Sequence, residues 1–335
     1  MTLILPEHYQ AKLSLRQTQM AVQEIRTTFA KKFSSSLNLQ QVTAPLFVQS
    51  KTGLNDNLNG VETPISFTAP ALPGQKLEIV HSLAKWKRVA LKKYSFAVHE
   101  GLYTDMKAIR KDEILDNFHS LYVDQWDWER VITRDARNLA TLQYTVQQIF
   151  QAIQQVADYI RELYPQATPT LPEELYFITT QELLERYPNL TPKQREMEIC
   201  RQWGAVFVMQ IGATLSDGKK HDGRAPDYDD WQLNGDLLFW DELLQAVLEI
   251  SSMGIRVDAS ALQKQITVAK VPERLQYPYH QAILHDELPL TIGGGIGQSR
   301  LCMLLLGKAH IGEVQASIWS QEMRQQCQTA QISLL

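Results

Sequence analysis

From Leu139 to Leu163, apolar side chains recur every three or four residues, at Leu139, Leu142, Val146, Ile149, Ile153, Val156, Ile160 and Leu163, and Pro165 closes the run. That spacing lines one face of an α-helix, and no other stretch of the chain carries so long a stripe. Strand-like segments stand on either side of it. Upstream, Val22, Ile25, Phe29 and Phe33 predict a helix that breaks at Ser34-Ser35-Ser36 before a β-rich run, Gln41 to Val48, containing Pro45. Leu77 to His81 then reads as a strand leading into a basic helix, Leu83 to Lys93, and His119 to Glu129 as a further strand. Beyond the Pro-rich connection at 165–172, the pattern predicts one helical segment near Gln181 to Trp203, a strand Ala205 to Ile211 and a polar loop 214–232. Strands at Leu233 to Trp240 and Gln245 to Val257 and a helix beginning beside Gly297 complete it. Because the long helices fall between groups of strands instead of alternating with them one for one, the order favours an α+β fold, a mostly antiparallel sheet flanked by helices. The 335 residues allow either two domains or one large α/β or α+β unit; we see no internal repeat and read 1–335 as one domain.

Charge and cysteine usage narrow the function classes. Lys plus Arg is 33 and Asp plus Glu is 37, a net charge of −4 that argues against a dedicated nucleic-acid binder, whose domains are usually basic. Cys200, Cys302 and Cys327 are odd in number and lack a CxxC spacing, so neither a disulfide framework nor a cysteine zinc site is suggested, and a reducing compartment fits. The opening MTLILPEHYQ lacks a basic then apolar leader pattern, and the longest apolar stretch, Leu301 to Leu306, is far short of the roughly 18 residues that span a bilayer. The expectation is a cytoplasmic protein without membrane partners. His81, His99, His119 and His221 are not spaced as HxxxH, which argues against a histidine zinc site. The glycine cluster GGGIGQSR (293–300) fails the dinucleotide pattern GxGxxG, and Gly307-Lys308 is followed by Ala309, which fails the P-loop.

Four constellations could carry chemistry. A tight turn at Glu242-Leu243 would set Asp236 opposite Glu249. Facing carboxylates repel unless a cation lies between them, and such hard oxygen ligands suit Mg²⁺; a longer turn would change the register and leave both acids solvated. On the strand around residue 125, Gln125 and Asp127 share one face, where they could orient an ammonium group, while Trp126 and Trp128 point the other way. Arg110 stands three residues before Glu113, an arrangement that suits a phosphoryl group held by a guanidinium fork, or a plain surface ion pair. The glycines before Arg300 would let a ligand approach the backbone, with a helix N-terminus and Arg300 offered to an anion, or form a tight helix entry alone. The run KWKRVALKK places Lys85, Arg88 and Lys92 on one helix face, read as solvated, with Lys87 projecting elsewhere. Asp227, Asp229 and Asp230 form an acidic cluster that reads equally as a ligand site or a turn-rich loop, and loop 51–60 holds a single acid, Asp56.

Taken together the segments resemble the ammonia-dependent asparagine synthetase (aspartate–ammonia ligase) family. The matching stretches are DNLNG (56–60), VHSLAKWKR (80–88), EGLYTDMKAIR (100–110), SLYVDQWDWERV (120–131), TQELLERYP (180–188), RAPDYDDW (224–231), LNGD (233–236), SSMGIRVD (251–258) and TIGGGIGQSRL (291–301). The resemblance implies the catalytic-core fold of class II aminoacyl-tRNA synthetases, with Pro45, the Arg110 and Glu113 pair, and the glycine-rich strand before Arg300 marking its three motifs. It also implies a homodimer and a two-step reaction: aspartate and ATP give β-aspartyl-AMP and pyrophosphate, and ammonia then displaces AMP. By the same resemblance Asp56, Arg110 and Arg300 are catalytic, and Lys87, Gln125, Asp127, Asp229, Ser252 and Arg256 bind aspartate. Arg110, Glu113, Ser120, Asp236, Gly295 and Arg300 meet the nucleotide, and Asp236 with Glu249 holds Mg²⁺. No cysteine precedes Cys200, so the nucleophilic N-terminal cysteine of glutamine-hydrolysing synthetases is missing and free ammonia is the expected nitrogen source. Two other readings stay open: an aspartyl- or asparaginyl-tRNA synthetase core, against which the net charge and the lack of an anticodon-binding module speak, and a non-catalytic sensor of aspartate or ATP, against which the retained charged residues speak.

Overall fold

The computed structural model describes residues 3–56 and 62–335. The matching stretch at 56–60 therefore lies outside the described residues apart from Asp56. Helix α1 (Leu15–Leu37) opens with a capping box in which Ser14 and Gln17 satisfy each other's backbone N–H groups, and it buries Val22, Ile25, Phe29 and Phe33. It does not break at the serines: Ser34 and Ser36 donate their hydroxyls to the helix carbonyls of Lys31 and Phe33, and the left-handed Asn38 ends the helix instead. The β-rich run divides around Pro45 into β1 (Leu39–Gln41) and β2 (Phe47–Gln49), which enter different sheets. Next come β3 (Ser66–Phe67), β4 (Leu77–Ile79), α2 (Ala84–Lys93), β5 (Gly101–Ile109), β6 (Tyr122–Val131) and α3 (Leu139–Leu163).

The segment expected as one helix is two, α4 (Thr180–Arg186) and α5 (Pro192–Trp203), following β7 (Tyr176–Thr179). Thr191 caps α5 with Pro192 at its first position, where a missing N–H costs nothing, so the chain restarts a helix there. Then follow β8 (Ala205–Met209), β9 (Asp229–Asp241), β10 (Ala246–Arg256), α6 (Ala259–Ala269), a 3-10 turn (Pro272–Gln276) and α7 (Pro278–Leu284). The polar loop thus ends at 228, because Asp229 already pairs with Arg256 in the sheet. Strand β11 (Thr291–Gly297) leads straight into α8 (Gln298–Leu305), and α9 (Gln321–Thr329) follows.

Eight strands form one sheet in the order β1-β5-β6-β11-β10-β9-β8-β7, antiparallel except at its two edges, where β1 and β7 pair parallel; β2, β4 and β3 make a small second sheet. Helices α1 and α3 cover one face. Phe29 packs on Trp126 with ring centroids 4.7 Å apart and Phe150 on Phe239 at 5.9 Å, in a core that takes in the stripe Leu142, Val146, Ile149, Ile153, Val156 and Ile160. Each buried aliphatic or aromatic side chain of that kind contributes about 1.5–3 kcal/mol, which fixes which way the sheet faces.

The β9–β10 hairpin corrects the expected register. Its turn spans four residues, 242–245, so Ala246 pairs with Asp241 and Glu249 with Leu238. A bulge at residue 250 then adds one more step, and Ser252, not Glu249, stands opposite Asp236. The basic helix α2 is also corrected. Lys85, Lys87 and Arg88 are all buried, Arg88 donating to the carbonyls of Pro289 (2.8 Å) and Val257 (2.7 Å), and Lys92 alone of the expected face is solvated. Helix α2 carries its charges inward because the sheet and the loops behind it supply an acceptor for each.

Candidate active site

The face of the sheet away from α1 forms the floor of a deep cleft. Alternation along β6 sends Trp126 and Trp128 to the core and Gln125 and Asp127 to the cleft, as the two-residue period requires. Gly295 on β11 stands opposite Asp127 on one side and Ser252 on the other, and Ser252 stands opposite Asp236. Asp127, Gly295, Ser252 and Asp236 therefore form one row across four strands. A side chain cannot replace the glycine: a Cβ there would lie 2.6 Å from Gln125 Oε1 and 2.9 Å from Asp127 Oδ1.

At the β6 end of this row the charges are closely matched. Lys87 Nζ reaches Asp127 Oδ1 at 3.0 Å and the Gly294 carbonyl at 2.8 Å, and the Leu83 N–H donates to Asp127 Oδ2 at 3.2 Å. Burial pushes the Lys87 ammonium below the ordinary lysine range, with Asp127 opposing it. Beneath the floor the Arg256 guanidinium pairs with Glu129 at 2.8 Å and also with Asp229. Burial would raise the Glu129 carboxyl, but Arg256, Lys87 and the Thr291 hydroxyl outweigh it and hold it below the usual carboxylate range. Glu129 belongs to SLYVDQWDWERV, yet nothing in its local pattern marks it as the partner of an arginine 127 positions away. Asp56 is buried at the cleft wall, where its carboxylate accepts the Ser82 hydroxyl at 2.9 Å.

At the other end Arg110 and Glu113 lie 4.0 Å apart, half-buried, and both face the cleft. Ser120 shares a 2.7 Å hydrogen bond with Ser317. Arg300 donates to the carbonyls of Glu249 (3.0 Å) and Phe118 (3.3 Å), which aims it from the first turn of α8 into the cleft. The helix end itself is not offered to an anion, contrary to one expectation. Asp124 accepts the Ser299 N–H at 3.1 Å and its hydroxyl at 2.9 Å, with Arg26 2.6 Å behind, so a carboxylate already occupies the positive end.

All fourteen residues named from the sequence line this one cleft: Asp56, Lys87, Arg110, Glu113, Ser120, Gln125, Asp127, Asp229, Asp236, Glu249, Ser252, Arg256, Gly295 and Arg300. Of the acidic cluster Asp229 alone does so; Asp230 pairs with Arg137 at 2.9 Å and Asp227 lies behind the wall. One further residue escaped the sequence reading. Arg224 reaches into the cleft, its Nη2 2.6 Å from Asp236 Oδ1 and its Nη1 on the Ser252 hydroxyl. RAPDYDDW displays it, but its three acids draw the eye, and no spacing rule links residue 224 to residue 236. Desolvation pushes the Asp236 carboxyl up to about 6, the Arg224 guanidinium pulling against it and the charge of Glu249 adding to it.

Among the described residues no three or more His, Cys, Asp or Glu side chains gather as a metal site. Asp236 and Glu249 are two hard oxygen donors facing a cleft that Arg110, Arg224 and Arg300 also line. That set fits Mg²⁺, which keeps several waters and takes substrate phosphates in place of a full protein cage.

A family model described as aspartate-ammonia ligase matches residues 16–331. Proteins named aspartate–ammonia ligase from Pediococcus pentosaceus and Levilactobacillus brevis are 61% and 60% identical over 335 residues, covering 100% of both chains in each case. Among solved structures, the asparaginyl-tRNA synthetase from Pyrococcus horikoshii complexed with asparaginyl-adenylate matches with a TM-score of 0.67 at 14% identity, over 91% of this chain and 70% of that one. The Entamoeba histolytica asparaginyl-tRNA synthetase, also with asparaginyl-adenylate, gives 0.66 at 14% identity, over 90% and 66%, so this chain spans about two thirds of those synthetases. These distant likenesses establish the fold, a class II synthetase core.

Proposed function

The chain belongs to the aspartate–ammonia ligase family, and from that premise we propose how its cleft joins the two substrates. Residues 1–335 act as one catalytic domain. A side-chain carboxylate oxygen of aspartate attacks the α-phosphorus of ATP, the bond to pyrophosphate breaks, and β-aspartyl-AMP forms. Ammonia then attacks the β-carbonyl carbon, the bond to the AMP oxygen breaks, and the extra proton leaves the nitrogen, giving asparagine. A carboxylate needs this activation because its oxygen is otherwise too poor a leaving group.

The observation that carries the reading is the row Asp127, Gly295, Ser252, Asp236, with Lys87 at one end and Arg224 at the other, facing Arg110 and Arg300. A dipolar amino acid is held at the Lys87 end: Gln125, Asp127 and Asp229 meet its ammonium, and Lys87, Ser252 and Arg256 its carboxylates. Glu113, Ser120 and the Gly295 backbone border the nucleotide, while Arg110 and Arg300 stabilise charge that develops on the phosphates. Asp236 and Glu249 would hold Mg²⁺, which supplies charge neutralisation on the phosphates. Asp56 receives ammonium beside the acyl-adenylate and takes its proton. The bound asparaginyl-adenylate named for the structural neighbours supports an adenylate in this cleft. Three buried free cysteines suit work in the cytoplasm, and exposed Phe47 and Phe67 on the small sheet, with Leu46 next to them, suit a homodimer. No helix among the described residues is long and apolar enough to cross a membrane.

The test is to incubate the purified protein with aspartate, ATP and Mg²⁺, with and without ammonium, and to measure pyrophosphate, AMP and asparagine. One AMP and one pyrophosphate per asparagine, without tRNA, are expected. Product that requires tRNA, or no turnover, overturns the reading.

A further inference from the structure

Asp227 sits one residue before Tyr228, which faces the cleft, yet Asp227 itself lies wholly behind the wall. Three groups from three elements converge on its Oδ2: Lys85 Nζ of α2 at 2.9 Å, His280 Nε2 of α7 at 3.0 Å, and Arg274 Nη1 of the 3-10 turn at 3.3 Å. Lys85, His280 and Asp227 are each almost fully buried. Burial would raise the carboxyl, but Lys85, His280 and Arg274 outweigh it and hold Asp227 far below the usual carboxylate range. Burial lowers the His280 ring below the ordinary histidine range with Asp227 opposing it, and Asp227 as acceptor assigns a proton to Nε2.

The other edge of the same imidazole faces the loop that carries Asp56. Gly53 has a left-handed φ of +78°, and a Cβ on it would come 2.9 Å from His280 Nδ1 and 3.1 Å from Tyr277 Cβ. Beside it the Tyr279 N–H donates to the Thr52 carbonyl at 3.3 Å, and Leu54 packs on the cluster of Val257, Leu262, Tyr279 and Ile283. One ring thus touches Asp227 on one side and the backbone three residues before Asp56 on the other. Lys85, held by the same carboxylate, lies two residues before Lys87 on α2.

We propose that Asp227, Lys85, Arg274 and His280 form a positioning cluster that seats the 51–56 loop, and with it Asp56, against the cleft. The inference rests on Asp56 acting in the reaction as proposed above. None of the four lines the cleft. They act by leaving the loop a single seat: a buried carboxylate is stable only while its donors stay in place, so the His280 ring cannot shift away from Asp227, and the loop is shaped to the ring. A displacement of about 1 Å at a reacting group can cost about a hundredfold in rate, so loosening this seat is felt at Asp56.

The test measures two partial reactions separately, aspartate-dependent exchange of pyrophosphate into ATP and release of AMP from preformed adenylate on adding ammonium, for Asp56→Ala, His280→Leu and His280→Gln. His280→Leu is expected to slow whichever partial reaction Asp56→Ala slows, by about tenfold. His280→Gln, which keeps an N–H donor near Asp227, restores most of that loss. If His280→Leu does not fold, Gly53→Ala presses on the ring from the loop side and must give the same pattern. A His280→Leu or Gly53→Ala pattern unlike that of Asp56→Ala, or no recovery in His280→Gln, overturns the positioning role. Should Asp56→Ala slow adenylate formation instead of transfer, the role given to Asp56 fails, while the inference about His280 is still decided by whether its variants follow.

Discussion

Arg224 sets its Nη2 2.6 Å from Asp236 Oδ1, so the carboxylate that a metal would claim already has a cation of this chain against it. Glu249 has its own cation, Arg300, 4.0 Å away. Each acid thus has a guanidinium of this chain beside it, although burial and the charge of Glu249 still push the Asp236 carboxyl up. Under the proposed function, Mg²⁺ with nucleotide phosphates would enter a site where Arg224 and Arg300 already stand against these acids.

Replacing Arg224 by Ala removes the strongest pull that keeps Asp236 ionised against its burial. The acidic limb of the pyrophosphate-exchange profile should move to higher pH by about one unit, and exchange at pH 7 should drop by about tenfold or more. An unmoved limb in the pH profile would show that Arg224 does not govern Asp236.

The raised value of Asp236, about 6, also sets a window in the unaltered protein. As pH falls through about 6 the carboxylate takes up a proton and the apparent affinity for Mg²⁺ should fall, since ligands bind metal deprotonated. Stability runs the other way. The folded carboxyl binds its proton more tightly than the unfolded one, so its contribution is full at low pH and is lost as pH rises through about 6. Thermal melts of metal-free protein and of Asp236→Asn, compared from pH 4 to 7, isolate that component; identical pH dependence in the two would reject it. In the same series Asp236→Asn and Glu249→Gln should each abolish Mg²⁺-dependent pyrophosphate release while the fold survives.

Gly295→Ala places a methyl group 2.6 Å from Gln125 Oε1 on the floor between Asp127 and Ser252. Overpacking of this kind costs about 1–3 kcal/mol, and here it falls on two side chains proposed to hold the aspartate ammonium. The KM for aspartate in pyrophosphate exchange should rise about tenfold or more with the KM for ATP little changed. Equal increases for both substrates would mean that the row does not divide the cleft as proposed.

Glu129→Gln leaves Arg256 buried beside Asp229 with half its counter-charge gone. Breaking a buried pair typically costs about 3–5 kcal/mol, which urea unfolding would register. Because Glu129 is held below the usual carboxylate range, its contribution is present at neutral pH and is lost only as pH falls through that lowered value. A loss under about 1 kcal/mol would mean that Asp229 alone satisfies Arg256.

What local pattern determines was legible in the chain. The stripe ending before Pro165 is a helix on the core, and the two-residue period of β6 divides Gln125 and Asp127 from Trp126 and Trp128. The mostly antiparallel sheet followed from the order of its elements, and matches along the chain pointed to the residues that line the cleft. Pairings between distant residues were not legible. A four-residue turn and one bulge, invisible to alternation, moved Ser252 into the place expected for Glu249. Lys85 looked solvated because its acceptor, Asp227, is 142 positions away, and the α8 terminus looked open because Asp124 is 175 positions from Ser299. Periodicity reports which side of a helix or strand a residue occupies, through interactions with its near neighbours. The partner it meets there depends on how whole elements dock, and many acids could serve any one lysine until the closed fold leaves room for one.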